Sequence, residues 1–238
     1  MSALDQLLDL QGLDTHIDQL RHRLDHDAVH AVLSDAEHRV VDLEAETLEA
    51  EGRREEIRRT QKRFEDESAS CGEKIEKENA KLYGGAVTAP KELEALQTEI
   101  ALLTARQSDL DDHVIEQMEL AEPVDAELAD LARRVTDARA AAEHARGEVT
   151  VMQAEVGADL DATLVARREL AATLDASLLA HYEKLRAQLG GQGAAKLAPG
   201  GRCEGCHLTL PSAEYDAVKR APEGEVLLCP ECGRILVR

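Results

Sequence analysis

Apolar residues in this chain recur at alternating steps of four and three, and they hold that spacing far longer than a globular helix requires. One run passes through Val40, Leu43, Ala50, Ile57, Phe64, Cys71 and Leu82, and a second runs from Leu93 through Ile100, Leu110, Val124, Leu131, Val149 and Val156. Heptad spacing sustained over so many turns predicts a coiled coil, because each helix has only a narrow apolar seam and must turn it toward a partner helix. Composition points the same way: charged residues make up 32% of the chain and aromatic residues 2%, too little bulk for a wide globular core. No stretch approaches the roughly 20 apolar residues of a membrane span, so the chain reads as soluble.

Between the runs lies YGGAVTAPKEL, residues 83–93. Two glycines free the backbone, Pro90 suits the first turn of the next helix, and Thr88 or Ala89 sits at its N-cap, with Glu92 and Glu94 facing the positive end of the helix dipole. The chain is therefore expected to double back into an antiparallel hairpin with its tip at 83–92 and residue 36 near 135–140. At about 1.5 Å per residue the segment 36–82 would extend about 70 Å. A separate seam, Leu10, Leu13, Ile17, Leu20 and Leu24, falls out of phase at 25–35, which predicts a break there. The return seam loses phase near Gly157 and resumes through Leu164, Leu170, Leu174, Leu178 and Leu185, so these two base segments should pack together. Pro123 is expected to kink the return helix. The hairpin is placed at 1–189, and the Gly-rich segment 190–201 is expected as a flexible linker.

Residues 202–238 hold two C-x-x-C pairs, Cys203/Cys206 and Cys229/Cys232, which take four of the five cysteines. A C-x-x-C turn presents two thiolates from one tight loop, and two such turns complete the tetrahedral shell that Zn²⁺ prefers. The 22 residues between the pairs slightly exceed the usual spacing of roughly 15 to 20, leaving room for a longer hairpin. Disulfides compete as a reading. The N-terminus, however, has no basic start, apolar block or small-residue cleavage site, which indicates a cytoplasmic, reducing location. A dithiol redox centre would need a strand-to-helix junction that the preceding glycines do not supply. Four thiolates leave no open position, so one structural zinc is expected and a catalytic one is not. His207 is read as a loop residue beside the ligands.

The remaining candidates have blander readings that are preferred. His22, His26 and His30 share one helical face and could bind a transition metal, but no carboxylate or cysteine completes the set. Cys71 lies on the seam as a small hydrophobe. Arg53, Arg54, Arg58, Arg59, Lys62 and Arg63 interrupt an acidic run and are read as partners of nearby Glu51, Glu55 and Glu56. The net charge of −20 falls almost wholly outside the ribbon, and such an arm repels phosphate. No phosphate loop, nucleophile elbow or H-E-x-x-H is present, so no enzyme is expected.

Three segments, YGGAVTAPKELEALQTEI at 83–100, CEGCHLTLP at 203–211 and VLLCPECGRILV at 226–237, resemble the bacterial C4-type zinc-ribbon family, in which a long helical hairpin precedes a C-terminal ribbon. The resemblance covers essentially the whole chain. It implies a mainly α fold, a long antiparallel coiled-coil hairpin with a small β zinc ribbon. It also implies Cys203, Cys206, Cys229 and Cys232 as metal ligands and Tyr83, Gly84, Gly85, Thr88, Pro90, Lys91 and Glu92 as the tip motif. By the same resemblance the protein would be an adaptor, since some members associate with an alternative sigma factor of RNA polymerase or with RNA.

Two function classes follow. The first is a non-enzymatic scaffold that binds a protein partner through Tyr83, Thr88, Lys91 and the ribbon. The second is a nucleic-acid reader using Arg202, Lys219, Arg220 and Arg234 on phosphates. Insertion of the tip into an RNA polymerase channel would favour paired acids in the turn, which AVTA lacks. Neither a membrane nor a small-molecule substrate is expected, and both monomer and dimer are compatible with the seam.

Overall fold

A computed structural model describes residues 2–85, 87–222 and 224–238; Ala86 of the tip motif and Glu223 of the ribbon lie outside the described residues. The elements are α1 (Ala3–His26), α2 (Ala28–Tyr83), α3 (Pro90–Ala171), α4 (Ala176–Gln188), β1 (Ala194–Ala198), β2 (Arg202–Cys203), α5 (Ser212–Arg220), β3 (Leu227–Leu228) and β4 (Ile235–Val237). They divide into two compact units, Leu33–Ala145 and the pair Met1–Val32 with Arg146–Arg238.

The unit 33–145 is the antiparallel hairpin that the heptads predict. Leu43, Ala50 and Leu131 are buried on one another, with Leu128, Val135 and Ala138 packed around them. Toward the turn Ser68 donates to Asp111 (2.6 Å), the Phe64 ring stacks on His113, and Cys71 is buried in the seam. Ion pairs flank the seam: Arg54 with Asp125 and Arg53 with Glu127, each 2.7 Å, and Arg139 with Glu44. Arg58 and Arg59 both hold Glu55, whose carboxyl their hydrogen bonds draw down to about 2, and Lys62 pairs with Asp66. The basic stretch on α2 is thus taken up by pairing, partly across the hairpin, except for Arg63, which lies over the Phe64 ring.

In the unit formed by 1–32 and 146–238, helix ends fall where side chains can cap them. Ser2 and Asp5 form a reciprocal capping box on α1. Asp27 ends α1 and its carboxylate accepts the Val29 N–H of α2, so the break expected at 25–35 sits at one residue. α3 continues as helix through Pro123 and Gly157 to Ala171. Pro123 is solvent-exposed, where water can take the carbonyl left without a donor. The helix ends before 172–175, where Asp175 accepts from the Ser177 and Leu178 N–H groups and starts α4.

Residues 190–201, expected as a linker, contain β1. This strand pairs in parallel with β4 and antiparallel with β2, within a sheet ordered β2-β1-β4-β3. Ile235 and Val237 of β4 and Ala194 of β1 point into a core with Leu4, Leu7, Leu10, Leu174 and Tyr182. Leu236, Ala195 and Leu197 point the other way, onto Leu210, Val218 and the cysteines. Both faces of the sheet are covered, which is why β4 is a continuous apolar run instead of an alternating one. The ribbon therefore shares a core with α1 and α4 and is not tethered through a free linker.

Candidate metal centre and hairpin tip

Each cysteine pair is held by the same backbone device. In the first knuckle the Cys203 N–H donates to the Leu208 carbonyl (2.9 Å) and the His207 N–H to the Cys203 carbonyl (2.8 Å). In the second, Cys229 N–H donates to Arg234 and Gly233 N–H to Cys229, both at 2.8 Å. His207 and Gly233 occupy equivalent places and share the left-handed conformation, with φ of 63° and 72°. His207 is thus an exposed turn residue, in the conformation that glycine supplies at no steric cost in the other knuckle.

The two knuckles bring all four sulfurs within 4.8 Å of one another, with Cys203 to Cys232 at 4.0 Å and Cys206 to Cys229 at 3.9 Å. Sulfurs about 2.3 Å from a zinc ion stand about 3.8 Å apart in a regular tetrahedron. The spacing fits that shell and is far beyond a disulfide's roughly 2.05 Å. Burial pushes the Cys203 thiol above its ordinary value and Cys229 up to about 12. Burial also opposes ionisation of Cys232, but the Arg234 backbone N–H and side chain, with the neighbouring thiols, draw it down to about 7. Zinc binds thiolates, so loading the site releases the thiol protons. These four residues hold one zinc, and with four thiolates the shell is closed.

Among the described residues no other group of histidines, cysteines and carboxylates is placed to hold a metal. His22 and His26 stack ring on ring at 4.4 Å. One ring nitrogen of His26 faces the His22 carbonyl, and one of His30 faces that of Leu24.

At the tip the residues separate by role. Gly84 follows the last residue of α2 and donates to the Ala80 carbonyl; a β-carbon there would lie 2.4 Å from that oxygen. Gly85 has φ +75°, and Ala89, not Thr88, accepts the first N–H groups of α3, from Glu92 and Leu93. Gly84, Gly85 and Pro90 thus make the turn. Tyr83 is 82% exposed, and Thr88, Lys91 and Glu92 also face solvent.

The four basic residues read as phosphate contacts differ in how they are engaged. Arg202 is exposed on β2, Lys219 lies over the Tyr215 ring at 4.2 Å, and Arg220 donates to the Asp216 carbonyl of its own helix. Arg234 is half-buried and its Nη2 donates to the Leu189 carbonyl.

A buried network that the motifs did not reveal joins the helices to the sheet. Asp14, 2% exposed, accepts from Tyr182 (2.6 Å) and Arg167 (2.8 Å), and Arg167 also pairs with Glu183. The single phenolic proton goes to the carboxylate, because the Gln11 oxygen 3.2 Å away already accepts the Gly193 N–H (2.7 Å) and, more weakly, that of Ala194. The sequence carried one sign of this: a charged residue midway between Leu10 and Ile17 on an apolar stripe. Arg238 was also missed; its guanidinium donates to the Val218, Ala221 and Pro222 carbonyls and closes the end of α5.

Comparison with known proteins agrees with this architecture. The CT398-like coiled coil hairpin domain matches residues 10–190, and the C4-type zinc ribbon domain matches 202–236. An uncharacterized protein of Mycobacterium tuberculosis H37Rv is 32% identical over 234 residues, 98% of this chain and 94% of that protein. A solved structure from Mycobacterium smegmatis aligns with a TM-score of 0.91 at 25% identity, over 99% of this chain and 97% of that one. CT398 from Chlamydia trachomatis aligns at 0.70 with 20% identity over 98% and 96%, a likeness of fold. No described helix is long and apolar enough to cross a membrane. With a heptad-paired hairpin running into a tetracysteine ribbon, the chain belongs to the CT398-like coiled coil hairpin family and ends in a C4-type zinc ribbon.

Proposed function

We infer that the protein is a non-catalytic adaptor, which binds a protein partner through its hairpin tip and uses zinc to shape the ribbon as a second contact surface. The observation that carries this reading is Tyr83, 82% exposed beside a turn in which, among the described residues, Gly84 and Gly85 meet the demands of the backbone. A large aromatic with a polar end, flanked by the exposed Lys91 and Glu92, is the composition of an interface anchor. A closed thiolate shell has no position for substrate, which supports a structural metal. The engagement of Arg234 with the end of α4, and of Arg220 and Lys219 within α5, favours a protein partner over nucleic acid.

The test uses the full-length chain carrying Tyr83→Ala with Lys91→Glu. Sigma factors and RNA polymerase, to which the family resemblance points, are the first proteins to assay, by co-purification from the native cell and by direct titration. The substituted chain should keep its zinc and helicity and lose a partner that the unsubstituted chain retains. An identical set of partners at identical affinity would remove the tip from the function.

A further inference from the structure

Arg234 touches three parts of the metal centre. Its backbone carbonyl closes the second knuckle by accepting the Cys229 N–H. Its side chain crosses the first knuckle at Gly205, where an added β-carbon would come within 2.6 Å of Arg234 Cδ and 2.9 Å of Ala195 Cβ. Its terminal Nη2 donates to the carbonyl of Leu189, the residue that caps α4. Nε is shielded from solvent without a hydrogen-bond partner and lies against Gly205, between Cys203 and Cys206, 3.2 Å from where a β-carbon there would stand. A buried guanidinium nitrogen without an acceptor is costly, and a thiolate is the acceptor this site would offer.

The geometry points to Arg234 as the positioning residue of the tetracysteine centre: its guanidinium faces the excess negative charge of four thiolates around a divalent cation and ties that charge to the end of α4. Four thiolates around Zn²⁺ carry a net double negative charge, which low-dielectric surroundings penalise unless a cation or hydrogen-bond donors offset it. Groups that orient metal ligands in this way commonly change metal affinity by about 10- to 100-fold when removed. Gly205 is the complement of Arg234, since a side chain there would displace the guanidinium from between the knuckles.

The test compares Arg234→Met, Arg234→Gln and Arg234→Lys in the full-length protein. Zinc transfer to a chromogenic chelator should speed up about tenfold or more in the Met and Gln variants and less in the Lys variant. With cobalt as a spectroscopic substitute, the sulfur-to-metal charge-transfer band should move to lower energy in Met and Gln, because a nearby cation stabilises the thiolate electrons, and return toward its original position in Lys. Packing alone would not sort the variants by charge. If Met and Gln fail to fold while Lys folds and loads metal, the requirement for charge is upheld. An unmoved band with release rates within about twofold, or equal failure of all three variants, overturns the assignment.

Discussion

Tyr182 is the buried residue whose chemistry makes the sharpest single-residue prediction. Burial raises the pKa of its phenol above the ordinary 10.0, and the hydrogen bond to Asp14 raises it further. Because the folded-state value lies above the unfolded one, the stabilisation is fully present below about pH 10 and is lost as pH rises through and beyond that value. The unfolding temperature of the native chain should therefore fall more steeply above pH 10 than that of Tyr182→Phe, which has nothing to titrate there. At neutral pH the Phe variant should be less stable by about 1.5 to 3 kcal/mol, the usual worth of a hydrogen bond to a charged group. Parallel alkaline slopes in thermal scans would refute the assignment. At His207 the left-handed backbone costs a non-glycine residue about 1 to 2 kcal/mol. Replacement by glycine, the residue of the equivalent position 233, should leave zinc content unchanged and keep or raise stability in thermal scans of the zinc-loaded protein, which a ligand could not do.

At the scale of elements, the seam that periodicity exposes in the sequence is also where truncation should hurt. Leu131 is 2% exposed against Leu43 and Ala50, so Leu131→Ala should cost about 2 to 5 kcal/mol by denaturant titration. The same change at Leu102, 68% exposed, should stay within about 0.5 kcal/mol. Elements whose reasons are local were legible: the hairpin from its heptads, the tip from its glycines and Pro90, the knuckles from C-x-x-C. Elements whose reasons are distant were not. AAKLA at 194–198 has no alternation and sits among glycines. It becomes a strand because β4, some 40 residues later, supplies a parallel partner and Tyr182 and Leu10 supply a floor. Asp175 shows the intermediate case: its side chain caps α4, a local signal, but the apolar spacing through Leu170, Leu174 and Leu178 runs across it without a gap.

For the molecule as a whole, the decisive fact is that the zinc ribbon's sheet has two faces. One covers the cysteines together with Val218 and Leu210, and the other lies on Leu7, Leu10 and Tyr182. Structural zinc sites contribute about 10 to 16 kcal/mol of apparent binding free energy, comparable to or larger than the about 5 to 15 kcal/mol by which a domain is stable. Removing the metal should therefore unfold more than the knuckles. Without β4 in place, Ile235 and Val237 leave the core that buries Leu7 and Tyr182, and Gln11 loses the Gly193 N–H it accepts. The cluster of Leu43, Ala50 and Leu131 shares no residue with that core. Hydrogen exchange before and after treatment with a strong chelator should show protection lost from segments 4–10 and 178–195 as well as 202–237, and retained at 43–50 and 128–135. If the loss stays within 202–232, the sheet is held by the helices alone and the metal serves only its own loops.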